Sequence, residues 1–165
     1  MKKILILLLI PIFLFISCSK TLPSSEYILN ELIGAEKNRP DGKIHLSNAA
    51  EGDISYTSPE LLASVYGENG DIPEICSQWV EFAFFLSSAP HPCEFAVILC
   101  RDADSASDTS KLLCRRLDTL KNAWKDTKYS SYTDLGIVVV KENFCALIIS
   151  SDAEALQKTF LSAVN

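Results

Sequence analysis

A chain of 165 residues, 48% hydrophobic and 22% charged, has the length and balance of one globular domain built on a single core. Its 21 acidic and 15 basic side chains leave a formal net charge of −6, without the clustered positive charge that nucleic-acid binding requires and without attraction to anionic lipid headgroups. It has no glycine-rich phosphate loop, nucleophile elbow or cysteine pair at zinc spacing, so no cofactor and no metal is expected and no catalytic residue stands out.

The chain opens on Met1-Lys2-Lys3 and an apolar run over residues 4–16, broken only by Pro11. A membrane-spanning helix needs roughly 17 to 25 apolar residues, whereas the apolar region of a secretory signal has about 7 to 15. The run ends in Phe15-Ile16-Ser17-Cys18, which resembles a bacterial lipobox with Phe15 where leucine is usual. Small Ser17 suits a peptidase that cuts before Cys18, and the Cys18 thiol suits alkylation to a stable thioether. The resemblance implies a signal peptide over residues 1–17, a diacylglyceryl group on Cys18 with an acyl chain such as palmitate on its amino group, a tether over residues 18–24 and a single domain over 25–165. Two acyl chains hold far better than the marginal single chain, since each buried methylene contributes about 0.8 kcal/mol. Two other readings stand beside it, a plain secretory signal with an incidental Cys18 and an uncleaved membrane anchor. Loss of Lys2 and Lys3 with no acid moves the formal charge from −6 to −8, so acyl chains rather than charge must hold the domain at the membrane.

With Cys18 acylated, Cys76, Cys93, Cys100, Cys114 and Cys145 remain, and an odd number leaves at least one thiol free. Exported proteins tend towards disulfides, yet three of the five sit in apolar runs, where cysteine behaves as a small hydrophobe. Mostly reduced, buried thiols are expected, with one disulfide as the alternative; spacing does not assign the pairing.

Ser24 or Ser25 caps a first helix over residues 25–37, with Tyr27, Ile28, Leu32 and Ile33 at helical spacing. A turn cluster follows at 38–42, then an irregular stretch with a short strand near 44–46. Ser58-Pro59-Glu60 opens a second helix through Leu61, Leu62, Val65 and Tyr66 that stops at Gly67. Residues 78–86 and 94–100 form a hairpin rich in Phe, Val, Ile and Leu across a loop of turn formers. Ser105 and Asp108 stand as a capping box for a helix to about residue 125, whose buried stripe is Leu113, Leu117, Leu120 and Trp124. A second hairpin spans 135–140 and 144–150. With Glu142 and Asn143 as its turn, Val140 faces Cys145, Val138 faces Leu147 and Ile137 faces Ile148. Asp152 caps a last helix bearing Leu156, Phe160 and Val164. The expected fold is α+β: two N-terminal helices, then ββαββα, with a mainly antiparallel four-stranded sheet packed with helices.

The run Glu94-Phe95-Ala96-Val97-Ile98-Leu99, the charged helix over residues 111–118 and the run from Ile137-Val138-Val139-Val140 through Lys141-Glu142-Asn143 to Phe144-Cys145-Ala146-Leu147-Ile148-Ile149-Ser150 resemble a family of small bacterial lipoproteins. That family, common in anaerobic Gram-positive bacteria, is known only as a domain of unknown function. The likeness covers residues 61–160 and the lipobox. It departs in Glu142, where a turn glycine is frequent, and in the surplus of cysteines. It implies a lipoprotein and carries no active-site residues.

Candidate sites weigh little against their plain readings. The acids of Arg101-Asp102-Ala103-Asp104-Ser105-Ala106-Ser107-Asp108 imitate a calcium loop, but Ala106, Ser107 and Leu113 occupy its fifth, sixth and twelfth positions; a helix cap is the expectation. His91-Pro92-Cys93 pairs imidazole with thiol, yet neighbours in a hairpin loop rarely converge on one atom, and the other histidine is His45. Trp79, Phe82, Phe84 and Phe85 read as core at strand spacing. Tyr129-Ser130-Ser131-Tyr132 reads as a plain helix-to-strand connection. Both faces of the second hairpin are apolar, so either the two early helices cover the second face, the favoured reading, or it is a groove for a ligand, a partner or a second copy of the domain.

The function expected is that of a lipoprotein anchored through Cys18 on the extracytoplasmic face of the cell membrane. Such a protein would act as a non-enzymatic binding or interaction module, with a protein, a small molecule or a homo-oligomer as partner. The alternatives are a hydrolase with an unrecognised site and an accessory subunit of an envelope complex or transporter.

Overall fold

A computed structural model describes residues 22–165. One antiparallel sheet runs in the order β1-β2-β3-β5-β4, from β1 (Gly42–Leu46), β2 (Trp79–Ser87), β3 (Glu94–Cys100), β4 (Ile137–Lys141) and β5 (Phe144–Ile149). The helices are α1 (Ser25–Ala35), α2 (Pro59–Tyr66), α3 (Ala103–Trp124), α4 (Ser130–Asp134) and α5 (Ala153–Ala163), with a 3-10 turn at Glu74–Gln78 before β2. None of the described helices is long and apolar enough to cross a membrane.

The α+β class stands, and the four-stranded sheet is corrected to five. The extra strand, β1, pairs along β2 from Gly42 opposite Ser87 to Leu46 opposite Ala83. The short strand expected near 44–46 is this one, but only its Ile44 and Leu46 reach the core, too short an alternation to assign it to the sheet. Gly42 is required there, since a Cβ would run into the Phe85 ring and the Leu86 carbonyl.

The two hairpin-plus-helix halves send their helices to opposite faces. After β2 and β3, α3 crosses the face of Phe84, Ala96, Ile98, Cys145 and Leu147 with α2 beside it. After β4 and β5, α5 joins α1 over Phe85, Phe95, Val97, Phe144, Ala146 and Ile148. The sheet is thus the middle of three layers, which is why both faces of the second hairpin are apolar. Of the two early helices only α1 covers the second face, and its partner there is α5.

Local signals act as expected at the starts of α1 and α2 and in the β4–β5 turn. Ser24 and Ser58 accept the N–H groups of Tyr27 and Leu61 at 3.1 and 3.2 Å. The cap of α3 is a correction, because Asp102, not Ser105, takes that place and accepts the Ser105 N–H at 2.8 Å. Asp152 stands before α5 without a side-chain cap bond; Ser150 Oγ accepts the Asp152 N–H at 2.9 Å instead. The β4–β5 turn is Glu142-Asn143 with the register expected, Val140 opposite Cys145 and Val138 opposite Leu147.

Glu142 has a φ of 53°, in the left-handed region. That conformation costs a non-glycine residue about 1 kcal/mol or more, and glycine's extra freedom in the unfolded chain offsets part of it. Glu142→Gly should therefore raise stability by about 0.5 kcal/mol, read as a later midpoint in urea denaturation. An earlier midpoint would mean that the Glu142 side chain holds the turn.

Two poles follow from this path. At the near pole α1 begins, with the Ser25 N–H on Glu81 Oε1 at 3.1 Å, and there too lie the start of α3 and the Glu142-Asn143 turn. At the far pole α1 ends, beside the 88–93 loop, α4 and the connection from β5 to α5.

Candidate functional site

His91-Pro92-Cys93 lies in the far-pole loop between β2 and β3. The Cys93 N–H donates to His91 Nδ1 at 3.1 Å, which leaves the ring proton on Nε2. Burial holds the His91 pKa below its ordinary value, against the opposing charge of Glu36, so the imidazole is neutral at pH 7. Burial, and then Glu36, push the Cys93 thiol up to about 12. A thiol in that state is no nucleophile, so His91 and Cys93 form no activated pair.

The residues around His91 were not legible as a site. Helix α4 brings Tyr129 and Tyr132 to the imidazole, with ring centroids at 4.4 and 4.6 Å, and Trp124 at the end of α3 meets Tyr129 edge-on at 5.9 Å. The expected plain connection is thus an aromatic cluster, with Lys128 Nζ 4.8 Å above the Tyr129 ring. Its spacing crosses a helix end, a turn and a second helix, so no single period reveals it. Beneath the cluster, a cavity of about 290 Å³ is lined by His91, Cys93, Glu94, Arg116, Leu120 and Trp124.

Glu94 opens an otherwise apolar strand and is 5% exposed along its side chain. It survives there because Arg116 on α3 grips it: Nη2 donates at 2.7 Å and Nε at 3.2 Å to each carboxylate oxygen. Burial alone would lower the Arg116 pKa, and the Glu94 charge and hydrogen bonds more than offset it, so the guanidinium stays charged. Arg116 also lines a second cavity of about 420 Å³ between α2 and α3, with Tyr66, Glu68, Arg115, Asp118 and Asn122. Glu68 and Arg115 form an exposed ion pair across its rim.

Tyr66 packs among Trp79 and Phe84 at 5.8 and 5.3 Å. Its hydroxyl is buried and meets no hydrogen-bond partner among the described residues. Burial, and then the charge of Glu94, raise its pKa well above 10. A buried unpaired hydroxyl costs about 1 to 3 kcal/mol, so Tyr66→Phe should stabilise the fold by about 1 kcal/mol. Chemical denaturation checks this, and a loss of similar size would reveal a partner for the hydroxyl in solution.

The remaining candidates resolve into structure. Trp79, Phe82 and Phe84 pack together in the α3-side core, Phe82 and Phe84 stacked at 4.7 Å, while Phe85 faces α1 and meets Phe95 at 5.7 Å. Trp79 Nε1 donates to Thr109 Oγ1 at 2.9 Å, and Cys100 Sγ reaches the same oxygen at 3.4 Å. Cys145 Sγ donates to the Ala106 carbonyl at 2.9 Å. The neighbouring Cys145 thiol holds the Cys100 pKa below its ordinary value against its burial. Cys76, Cys93, Cys100, Cys114 and Cys145 are all unpaired, and of these only Cys114 is exposed. Asp102 is spent on the α3 cap, and no group of three or more His, Cys, Asp or Glu converges for a metal among the described residues. Glu36, 7% exposed, accepts the Ser150 hydroxyl and the Asn38 N–H, tying α1 to β5 at the far pole.

The arrangement offers flat aromatic faces, a neutral imidazole and a neutralised ion pair, which is chemistry for binding by stacking and hydrogen bonding. Ser17 and Cys18 lie outside the described residues. Among protein-family models, curated proteins and solved structures, none matches this chain.

Proposed function

We propose that this chain is a lipoprotein anchored by a diacylglyceryl group on Cys18 at the extracytoplasmic face of the cell membrane, and that it acts there as a non-enzymatic binding module. On the same motifs we place it with the small bacterial lipoproteins that it resembles. The observation that carries the reading is its polarity: residues 22–24 lead into α1 at the near pole, while His91, Trp124, Tyr129 and Tyr132 gather at the far pole. A domain held by one pole presents the other to what it binds.

The hydrolase alternative draws on His91, Cys93 and Glu94 lining one cavity. A thiol pushed up to about 12 and a carboxylate held by Arg116 count against it.

Cys18→Ala should move the protein from the membrane fraction to the soluble extracytoplasmic fraction with its thermal midpoint unchanged, because residue 18 precedes the folded domain. A variant that stays in the membrane fraction overturns the lipid anchor.

A further inference from the structure

Leu22, Tyr27, Ile54 and Val80 are large hydrophobic residues exposed by 51, 51, 86 and 63%. Topology brings them to one pole. Leu22 and Tyr27 flank the start of α1, whose Ser25 N–H and hydroxyl bond Glu81 of β2, the neighbour of Val80. Val80 is the bulged residue between Trp79 and Glu81. Ser47 bonds Phe82 at the end of β1, and the Leu46 N–H bonds the carbonyl of Ser55, the neighbour of Ile54, at the same end. Single exposed hydrophobics are ordinary, but a group of them rimmed by polar residues marks a contact surface. Leu135, exposed by 53%, sits at the opposite pole.

We propose that Leu22, Tyr27, Ile54 and Val80 form a membrane-contact surface that lays the near pole of the domain against the lipid bilayer. The inference rests on the lipid anchor at Cys18. Leu22 follows Cys18 by four chain steps, a reach of at most about 14 Å, so the pole that carries Leu22 is the only one the anchor can hold at the headgroups. Tyr27 has the amphipathic ring that favours the interface. Glu26, Glu51 and Asp53 nearby make a neutral, zwitterionic surface the fitting one.

The test uses the lipidated protein reconstituted into phosphatidylcholine vesicles, with Cys76 and Cys114 replaced by serine. A bimane label is carried in turn by Ile54→Cys, Val80→Cys or Leu135→Cys. Lipids brominated near the headgroup should quench the labels at positions 54 and 80 at least twofold more than the label at position 135. Equal quenching at all three positions, or stronger quenching at 135, in protein that floats with the vesicles overturns the contact surface while leaving the anchor. Protein that does not float with the vesicles overturns the anchor and the surface together.

Discussion

Glu94→Ala should cost about 3 to 5 kcal/mol, a large share of the 5 to 15 kcal/mol that holds a domain together. The loss is not the worth of the ion pair itself. Two ions that leave water and bind each other come out near balance, whereas the survivor of a broken pair keeps its desolvation cost with nothing to meet it. Arg116, 20% exposed along its side chain, would be that survivor, pinned by α3 over a sheet face with no second acid in hydrogen-bond contact among the described residues. The paired replacement Glu94→Leu with Arg116→Met should recover most of the stability, since apolar side chains of similar volume suit the site. Guanidinium denaturation of the two single variants and the double variant settles the matter. If Glu94→Ala loses less than about 1 kcal/mol, the site is wetter than its burial indicates.

Phe95→Ala and Ile98→Ala should cost about 3 to 5 and 2 to 5 kcal/mol. Both residues belong to β3 and are fully buried, yet Phe95 faces α1 and α5 while Ile98 faces α3. Three residues of strand set them about 10 Å apart, and the sheet separates their neighbours. Their losses should therefore add to within about 0.5 kcal/mol. A combined loss far from the sum would mean that the two cores shift together through the strand.

What could be read from residues alone was whatever a short segment decides by itself. The Glu142-Asn143 turn fixed the β4–β5 register because a two-residue loop leaves one pairing. Ser58, Pro59 and Gly67 bounded α2 because a cap, a preset φ and a stop lie within one helix. Of β1 only a short strand near 44–46 was legible, because Gly42 to Leu46 offer two inward side chains, and its place at the sheet edge comes from β2. The choice of face for each helix escaped, for it depends on how α1 and α5 meet rather than on either helix alone.

The site was less legible than the fold. Tyr66, Glu94 and Arg116 come from three elements, and no period links them. One signal was present in the chain, a carboxylate at the head of the apolar run Glu94-Phe95-Ala96-Val97, where burial demands a cation from elsewhere. Tyr129 and Tyr132 looked like connection because five residues of α4 are too few to show a helical face.

The strand order carries a consequence for how the chain assembles. β2 with β3 and β4 with β5 are hairpins of neighbours in sequence, so each can zip quickly on local contacts. The seam between β3 and β5 joins residues on either side of the whole of α3, with Phe95 opposite Ile148 and Leu99 opposite Phe144. Closing it means gathering the chain between residues 100 and 144 first, an entropy that local pairing does not meet. Among the strand pairings, the middle of the sheet, the most buried part of the finished molecule, is thus the one that closes the longest stretch of chain and costs the most loop entropy.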